Sequence, residues 1–153
     1  MIRHSVLDGL EMLFDPALRL AEEFELFMRI LYRSKAVYQA EPVAVYRIHR
    51  DMSSFQLRDG WSDEFRLCLE RFRVLDSAGN YPEELAVMEW KISYNEALLM
   101  LVRGELGTAR RAIAPHRFRG VKAWCLYVVT FLPGPLWAVI RSLGLWGKHV
   151  YLR

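Results

Sequence analysis

Three carboxylates within one helical turn, followed later by a histidine, are the residues of this chain whose types and spacing could do chemistry. Glu22, Glu23 and Glu25 stand close together, and His49 comes after an apolar stretch with Arg47 two positions before it. A carboxylate working with a histidine suits general-base or metal chemistry, which a plain hydrophobic core does not need. The grouping therefore predicts a site for proton transfer, metal binding or phosphate contact.

The same residues also fit an ordinary structural explanation. The macrodipole favours Glu22 and Glu23 as solvated side chains near the start of a helix, and His49 can be held by a backbone carbonyl. The positions of the two glutamates relative to the predicted core face favour a catalytic role. If Phe24 and Phe27 face the core, the two glutamates flank that face, where one carboxylate is partly desolvated, as a usable general base requires.

The elements that would position these residues can be inferred from hydrophobic spacing. A helix over 16–33 is predicted from apolar residues at helical intervals, Leu20, Phe24, Phe27 and Leu31. The alternative is that a short first helix gives way to a second around Arg19–Glu22. The runs Lys35–Ala40 and Pro42–His49 are rich in β-branched and aromatic residues, which predicts two short strands or a β ribbon.

From Trp61 onward the pattern is helical. A first helix with one apolar stripe is predicted to end before Gly79. A longer helix is predicted from Pro82 to Gly104, and a short amphipathic helix after it is predicted to end at Pro115. The stretch 123–140 carries no charge. Three arrangements fit it: a membrane span, a hairpin lying on the membrane, or a packed hairpin with a turn at Pro133.

Charge divides the chain into an acidic body and a basic tail. Eight of the 21 Lys and Arg residues, and none of the 18 Asp and Glu residues, lie between Arg110 and Arg153. The partners expected for 110–153 are membrane headgroups, nucleic acid or the acidic body itself. Nucleic acid is the less expected partner, because the basic residues between Arg110 and Lys122 form no recognisable motif.

Cysteine usage and missing motifs narrow the function classes. Cys68 and Cys125 lie far apart, which argues for a reducing compartment and against a disulfide framework. We therefore expect a cytoplasmic location, with peripheral attachment to the inner face of the membrane as an option. The sequence contains no phosphate-binding glycine loop, no nucleophile elbow and no Asp-x-Asp.

Three segments taken together resemble the C-terminal third of a family 2 glycosyltransferase catalytic domain. They are Phe14–Leu18, Glu22–Arg29 and Tyr46–His49, against a family pattern of Phe-Asp, then Glu-Asp-x-Asp-Leu-x-x-Arg, then Tyr-Arg-x-His. The resemblance covers residues 1–55 and implies the rear of an A-type nucleotide-sugar domain, with 56–153 as a helical region. The fold class expected is α+β and mostly helical, an α/β glycosyltransferase remnant with a short β ribbon.

The resemblance also implies a role for each matching residue. Glu23 falls at the position of the base, with Glu22 as the acid before it, while Glu25 and Arg29 support the base. The substrate-binding residues that it implies are Phe14, Asp15 and Arg47. The metal ligand that it implies is His49. The implied reaction is an inverting transfer from a nucleotide sugar to a lipid-linked or polysaccharide acceptor, with Mg²⁺ or Mn²⁺ only in the complete enzyme.

Two departures from the family pattern bear on activity. Glu23 stands where the family usually has aspartate, so the carboxylate reaches about one methylene further, and Met12-Leu13 replaces small glycines. The nucleotide-binding half of the family is also missing, so we expect this chain to be inactive alone. The alternative function is a non-catalytic helical interaction or membrane-surface module.

Overall fold

The computed structural model describes residues 2–45, 47 and 58–142. In these ranges the α-helices are α1 (His4–Leu7), α2 (Glu22–Arg33), α3 (Trp61–Leu75), α4 (Pro82–Arg103), α5 (Leu106–Ile113), α6 (Val121–Val129) and α7 (Gly134–Ser142). Short 3₁₀ turns occupy Arg58–Gly60 and Ala114–His116. The described part of the chain is therefore mostly helical, as the sequence predicts.

The predicted β ribbon is wrong. The described residues contain no strand, and 35–45 run as irregular chain. Val37 and Val45 are 95% and 98% exposed. A strand is stable only when its backbone groups pair with a neighbouring strand and its side chains bury a face, and β-branched composition supplies neither partner. The α+β class and the remnant of an A-type glycosyltransferase fold are overturned with it.

The chain divides into two compact units, Met1–Pro82 and Glu83–Arg153, called here the N-terminal unit and the C-terminal unit. The domain boundary predicted between residues 55 and 56 falls outside the described residues. It stays a prediction.

The helix predicted over 16–33 begins six residues later, at Glu22. Asp15 Oδ1 accepts a hydrogen bond from the Ala17 amide at 2.7 Å, which closes a local turn in place of a helix cap. The alternative with a break around Arg19–Glu22 gives the boundary correctly, but the short first helix that it places before the break is absent, since 16–21 form only turns and bends. The boundary puts Glu22 and Glu23 in the first turn of α2.

The core of the N-terminal unit forms where α2 packs against α3. The buried apolar residues of the two helices are Leu26, Ile30, Cys68, Leu69 and Phe72. An aromatic cluster extends this core: Phe65 lies 5.0 Å from Phe24 and 4.3 Å from Trp61, measured between ring centroids. Offset and tilted rings at such distances add to the stabilisation from burial.

The C-terminal unit is built around α4, which ends at the predicted glycine. Gly104 has a φ of 85°, a conformation that favours glycine, and the Glu105 amide donates to the Met100 carbonyl at 2.8 Å. The buried core joins α4 to the later helices through Ala97, Leu101, Ala109, Ile113, Ala123, Leu126 and Trp137. The Trp137 indole donates to the Leu101 carbonyl at 2.9 Å, so its polar group is satisfied inside the core.

The uncharged stretch 123–140 forms the two short helices and the turn that its proline pattern predicts. α6 and α7 are separated by 130–133, and Arg110 Nη2 donates to the Thr130 carbonyl at 2.6 Å, which fixes this turn. Among the described residues, no helix combines the length and the apolar character needed to cross a membrane.

Candidate functional site

Arg29 ties α2 to the residues that come just before the Phe14–Leu18 motif segment. Its Nε donates to both carboxylate oxygens of Glu25, at 2.8 and 2.9 Å. Its Nη1 and Nη2 donate to the carbonyl oxygens of Met12 and Leu13, each at 2.8 Å. Because the guanidinium is rigid and planar, these bonds fix the segment before Phe14 against α2. These bonds reach Glu25 and the chain before Phe14, so the predicted support of Glu23 by Glu25 and Arg29 stays a prediction.

Asp15 is held from two directions. The Ala17 amide donates to its Oδ1, and Arg71 of α3 forms an ion pair with its Oδ2. The hydrogen bond from Ala17, followed by the Arg71 contact, holds the pKa of Asp15 below its ordinary value of 3.8. Asp15 is therefore a charged carboxylate at neutral pH, while its neighbour Phe14 is exposed.

Lowered carboxyl pKa values make the N-terminal unit sensitive to acid. Burial alone would raise the pKa of Asp76, but the amides of Asn80 and Tyr81 outweigh it and lower the pKa below 3.8. A carboxyl with a lowered folded-state pKa stabilises the fold above about pH 3.8, and that contribution is lost as the pH falls through the folded value. We expect the urea concentration at the unfolding midpoint to decrease as the pH is lowered below about 4. The decrease should be smaller in Asp76→Asn, which lacks the titrating carboxyl. An equally steep drop in that variant would contradict this assignment.

Asp15, Glu25 and Arg29 line one cavity of about 450 Å³ in the N-terminal unit. Arg33 and Arg71 add charge to its walls, and apolar lining is provided by Leu10, Met12, Met28, Phe72, Val74 and Leu75. Charged groups beside apolar surface suit a ligand that has both hydroxyl groups and hydrophobic faces.

Cys68 also lines this cavity but is unsuited to nucleophilic chemistry. Burial, with the nearby Glu25 charge, raises the pKa of the Cys68 thiol to about 11. The thiol is therefore protonated at neutral pH, and a protonated thiol is a poor nucleophile.

The two candidate acids in the first turn of α2 have different environments. Glu22 is partly buried, and its Oε2 is buried with no hydrogen-bond partner among the described residues. Glu23 is exposed. The predicted core face holds for Phe24, which is partly buried, but is wrong for Phe27, which is 47% exposed. A buried carboxylate oxygen without a partner is costly, so Glu22 is the less accessible of the two acids.

The remaining predicted site residues do not join this cluster in the described structure. Phe14, Glu22 and Glu23 are not among the residues that line the cavity. Arg47 is exposed, and His49 lies outside the described residues, so its predicted approach to the glutamates stays a prediction. Within the described ranges, no group of three or more His, Cys, Asp or Glu residues is arranged to hold a metal ion.

Sequence reasoning missed Glu64, which holds the chain just before α2. Its Oε2 accepts hydrogen bonds from three consecutive amides, those of Arg19, Leu20 and Ala21, at 3.0, 2.8 and 3.0 Å. The sequence shows Glu64 only as an acid in the first turn of α3. Its partners lie more than forty residues away, so local spacing gives no signal for the contact.

Glu64→Ala is expected to destabilise the N-terminal unit by about 2–4 kcal/mol, because it leaves three amides without an acceptor and two of them are partly buried. Hydrogen exchange should show faster exchange at residues 19–21. The matched control is Asp63→Ala, at the neighbouring exposed position. Equal effects in the two variants would contradict the role given to Glu64.

Comparisons with known proteins identify no relative. No protein-family model, no curated protein and no solved structure matches the chain. The resemblance to family 2 glycosyltransferases therefore depends on this chain's own motif residues alone.

Proposed function

We propose that this chain supplies the acceptor side of an inverting, family 2-like sugar-transfer site. The observation that carries the proposal is the contact of Arg29 with Glu25 and with the carbonyls of Met12 and Leu13. It couples the Phe-Asp segment to the helix whose first turn carries Glu22 and Glu23. The proposal concerns the reaction and makes no use of the β ribbon or of the A-type fold.

Glu23 is the proposed general base. Attack of an acceptor hydroxyl on an anomeric carbon requires removal of the hydroxyl proton, and a carboxylate within hydrogen-bond reach can accept it. Glu23 is exposed at the start of α2, so a substrate can approach it. Glu22, partly buried in the same turn, is proposed as the acid that precedes this base.

The acceptor is proposed to be a lipid-linked sugar or a polysaccharide. In the cavity, sugar hydroxyls would bond the charged groups of Asp15 and Arg71, and the apolar face of a sugar ring would contact Met12 and Phe72. Glu23 does not line this cavity, so the acceptor would have to extend from it to the first turn of α2. Such an enzyme would work in the cytoplasm or at the inner face of the membrane. The donor nucleotide and the expected Mg²⁺ or Mn²⁺ belong to the nucleotide-binding part of the complete enzyme.

The test is acceptor-dependent release of UDP or GDP from the corresponding nucleotide sugars, with Mn²⁺ present. The chain is assayed alone, together with the nucleotide-binding region of the complete enzyme, and as that pair with Glu23→Gln. Release that requires both parts and falls with the substitution would support the proposal.

Two outcomes would count against it. Release that is insensitive to Glu23 would favour the non-catalytic helical module. Micromolar binding of a UDP- or GDP-sugar to this chain alone, measured by titration calorimetry, would contradict the proposal that another part binds the donor.

A further inference from the structure

The helix α6 has apolar side chains on its solvent face as well as on its buried face. Ala123 and Leu126 are buried in the core of the C-terminal unit. On the outer face, Val121, Trp124 and Val128 are 78%, 52% and 43% exposed. These three positions, spaced i, i+3 and i+7, lie on one side of a helix, and we call them the α6 stripe.

Exposed aromatic residues flank the α6 stripe in the sequence. Phe118 precedes it and Phe131 follows it, and both are exposed. Arg110 lies 3.8 Å from the Phe131 ring centroid and also bonds the Thr130 carbonyl, so the turn after α6 is held in place. Large side chains exposed in a row on a fixed helix indicate a contact surface, because isolated exposed residues are usual but contiguous apolar ones are not.

The charge around the α6 stripe identifies the kind of partner. The chain from Arg110 to Arg153 contains eight basic residues and no acidic residue. Three of these cations, Arg111, Arg119 and Lys122, are exposed, and Lys122 stands next to Val121. An apolar stripe that includes tryptophan, in a segment with exposed cations and no acidic residue, matches the interface of an anionic bilayer, where the ring lies at headgroup depth and the cations meet phosphate groups.

Two other occupants fit less well. A nucleic acid would use the cations but would leave the valines and the phenylalanines facing water. A second copy of this chain would bury the α6 stripe but would bring like charges together, which is unfavourable.

We propose that α6 docks on an anionic phospholipid membrane, lying parallel to the surface with the α6 stripe inserted below the headgroups. With nine residues, α6 is far too short to span, so it attaches to one leaflet only. This surface belongs to the C-terminal unit. The inference therefore does not depend on the sugar-transfer proposal, and it holds even if Glu23 is not a base.

Cys125 provides a reporter within the surface. Cys125 is exposed beside Trp124, whereas Cys68 is buried and its raised pKa keeps it protonated. An environment-sensitive maleimide dye should therefore label the full chain at Cys125. With vesicles of phosphatidylcholine and phosphatidylglycerol in equal parts, we expect a blue shift of the dye emission. Vesicles of phosphatidylcholine alone should produce little shift.

The variant pair Val128→Glu and Val87→Glu separates membrane docking from a general effect of added charge. Val87 lies on α4 of the same unit and is 42% exposed, close to the 43% of Val128. In vesicle sedimentation with the unlabelled chain, Val128→Glu should weaken partitioning by about tenfold or more, and Val87→Glu by much less. Lys122→Gln should weaken it by about fivefold, the effect of one surface cation.

Three results would overturn the proposal. The first is no dye shift and no sedimentation of the wild-type chain with anionic vesicles at low salt, a test that needs no variant to fold. The second is equal loss of partitioning in Val128→Glu and Val87→Glu. The third is a concentration-dependent dimer, seen by analytical ultracentrifugation and abolished by Val128→Glu, which would assign the α6 stripe to a second copy.

Discussion

Under the sugar-transfer proposal, replacing Glu23 with glutamine is expected to lower the turnover number by about 10²- to 10⁴-fold, the range that general-base catalysis contributes. Glutamine has nearly the same size and can still accept a hydrogen bond, but it cannot take the acceptor proton. Glu23 is exposed at the start of α2, so the substitution removes no buried contact. Stability and donor affinity should therefore stay close to those of the wild type, and the loss should fall on the chemical step.

Two further variants make this prediction specific. Glu23→Asp keeps the carboxylate and introduces the residue usual at this position of the family pattern that the chain resembles, so it should retain far more activity than Glu23→Gln. Glu70→Gln, at an exposed position on α3, should leave turnover unchanged. The measurement is steady-state kinetics of nucleotide release. A Glu23→Gln enzyme with wild-type turnover would remove Glu23 as the base.

The helical elements follow from local sequence signals because their causes are local. The stripe of Phe65, Cys68, Leu69 and Phe72 lies within a single helix, and all four are buried or partly buried. Gly104 ends α4 because the conformation at that point, with a φ of 85°, is one that glycine adopts readily. Spacing along the chain is sufficient information for both features.

The elements that sequence reasoning misplaced have causes outside the segment. The start of α2 depends on Glu64, whose carboxylate accepts hydrogen bonds from the three amides before the helix. The helix propensity of residues 16–21 gives no information about that contact. The strands predicted at 35–45 are absent because a contact outside the segment is missing. Their composition favours a strand, but a strand also needs a partner, which a single segment does not reveal.

The candidate site shows the same division between local and distant causes. Glu25 and Arg29 are four positions apart on a helix, so their contact is expected from spacing alone. The bonds from Arg29 to Met12 and Leu13, and the pair between Asp15 and Arg71, join segments far apart in sequence. The motif resemblance identified Asp15 and Arg29 as site residues, but only the structure places both at one cavity.

Arg29→Met is expected to destabilise the N-terminal unit by about 3–5 kcal/mol, the cost of removing one partner of a buried ion pair. Glu25 is buried on α2, and both of its carboxylate oxygens bond Arg29 Nε. Methionine fills similar space but donates nothing, so the carboxylate and the carbonyls of Met12 and Leu13 lose their donors together. Amides of α2 should exchange hydrogen faster by two or more orders of magnitude.

The controls separate the ion pair from the loss of one positive charge. Arg33→Met removes an exposed cation from the last turn of the same helix and should cost well under 1 kcal/mol. Arg29→Lys keeps the charge but cannot reproduce the planar set of four bonds, so it should lie between the wild type and Arg29→Met. If Arg29→Met were no more destabilising than Arg33→Met, Arg29 would not hold the Phe14-Asp15 segment against α2. The sugar-transfer proposal would then lose the observation that carries it.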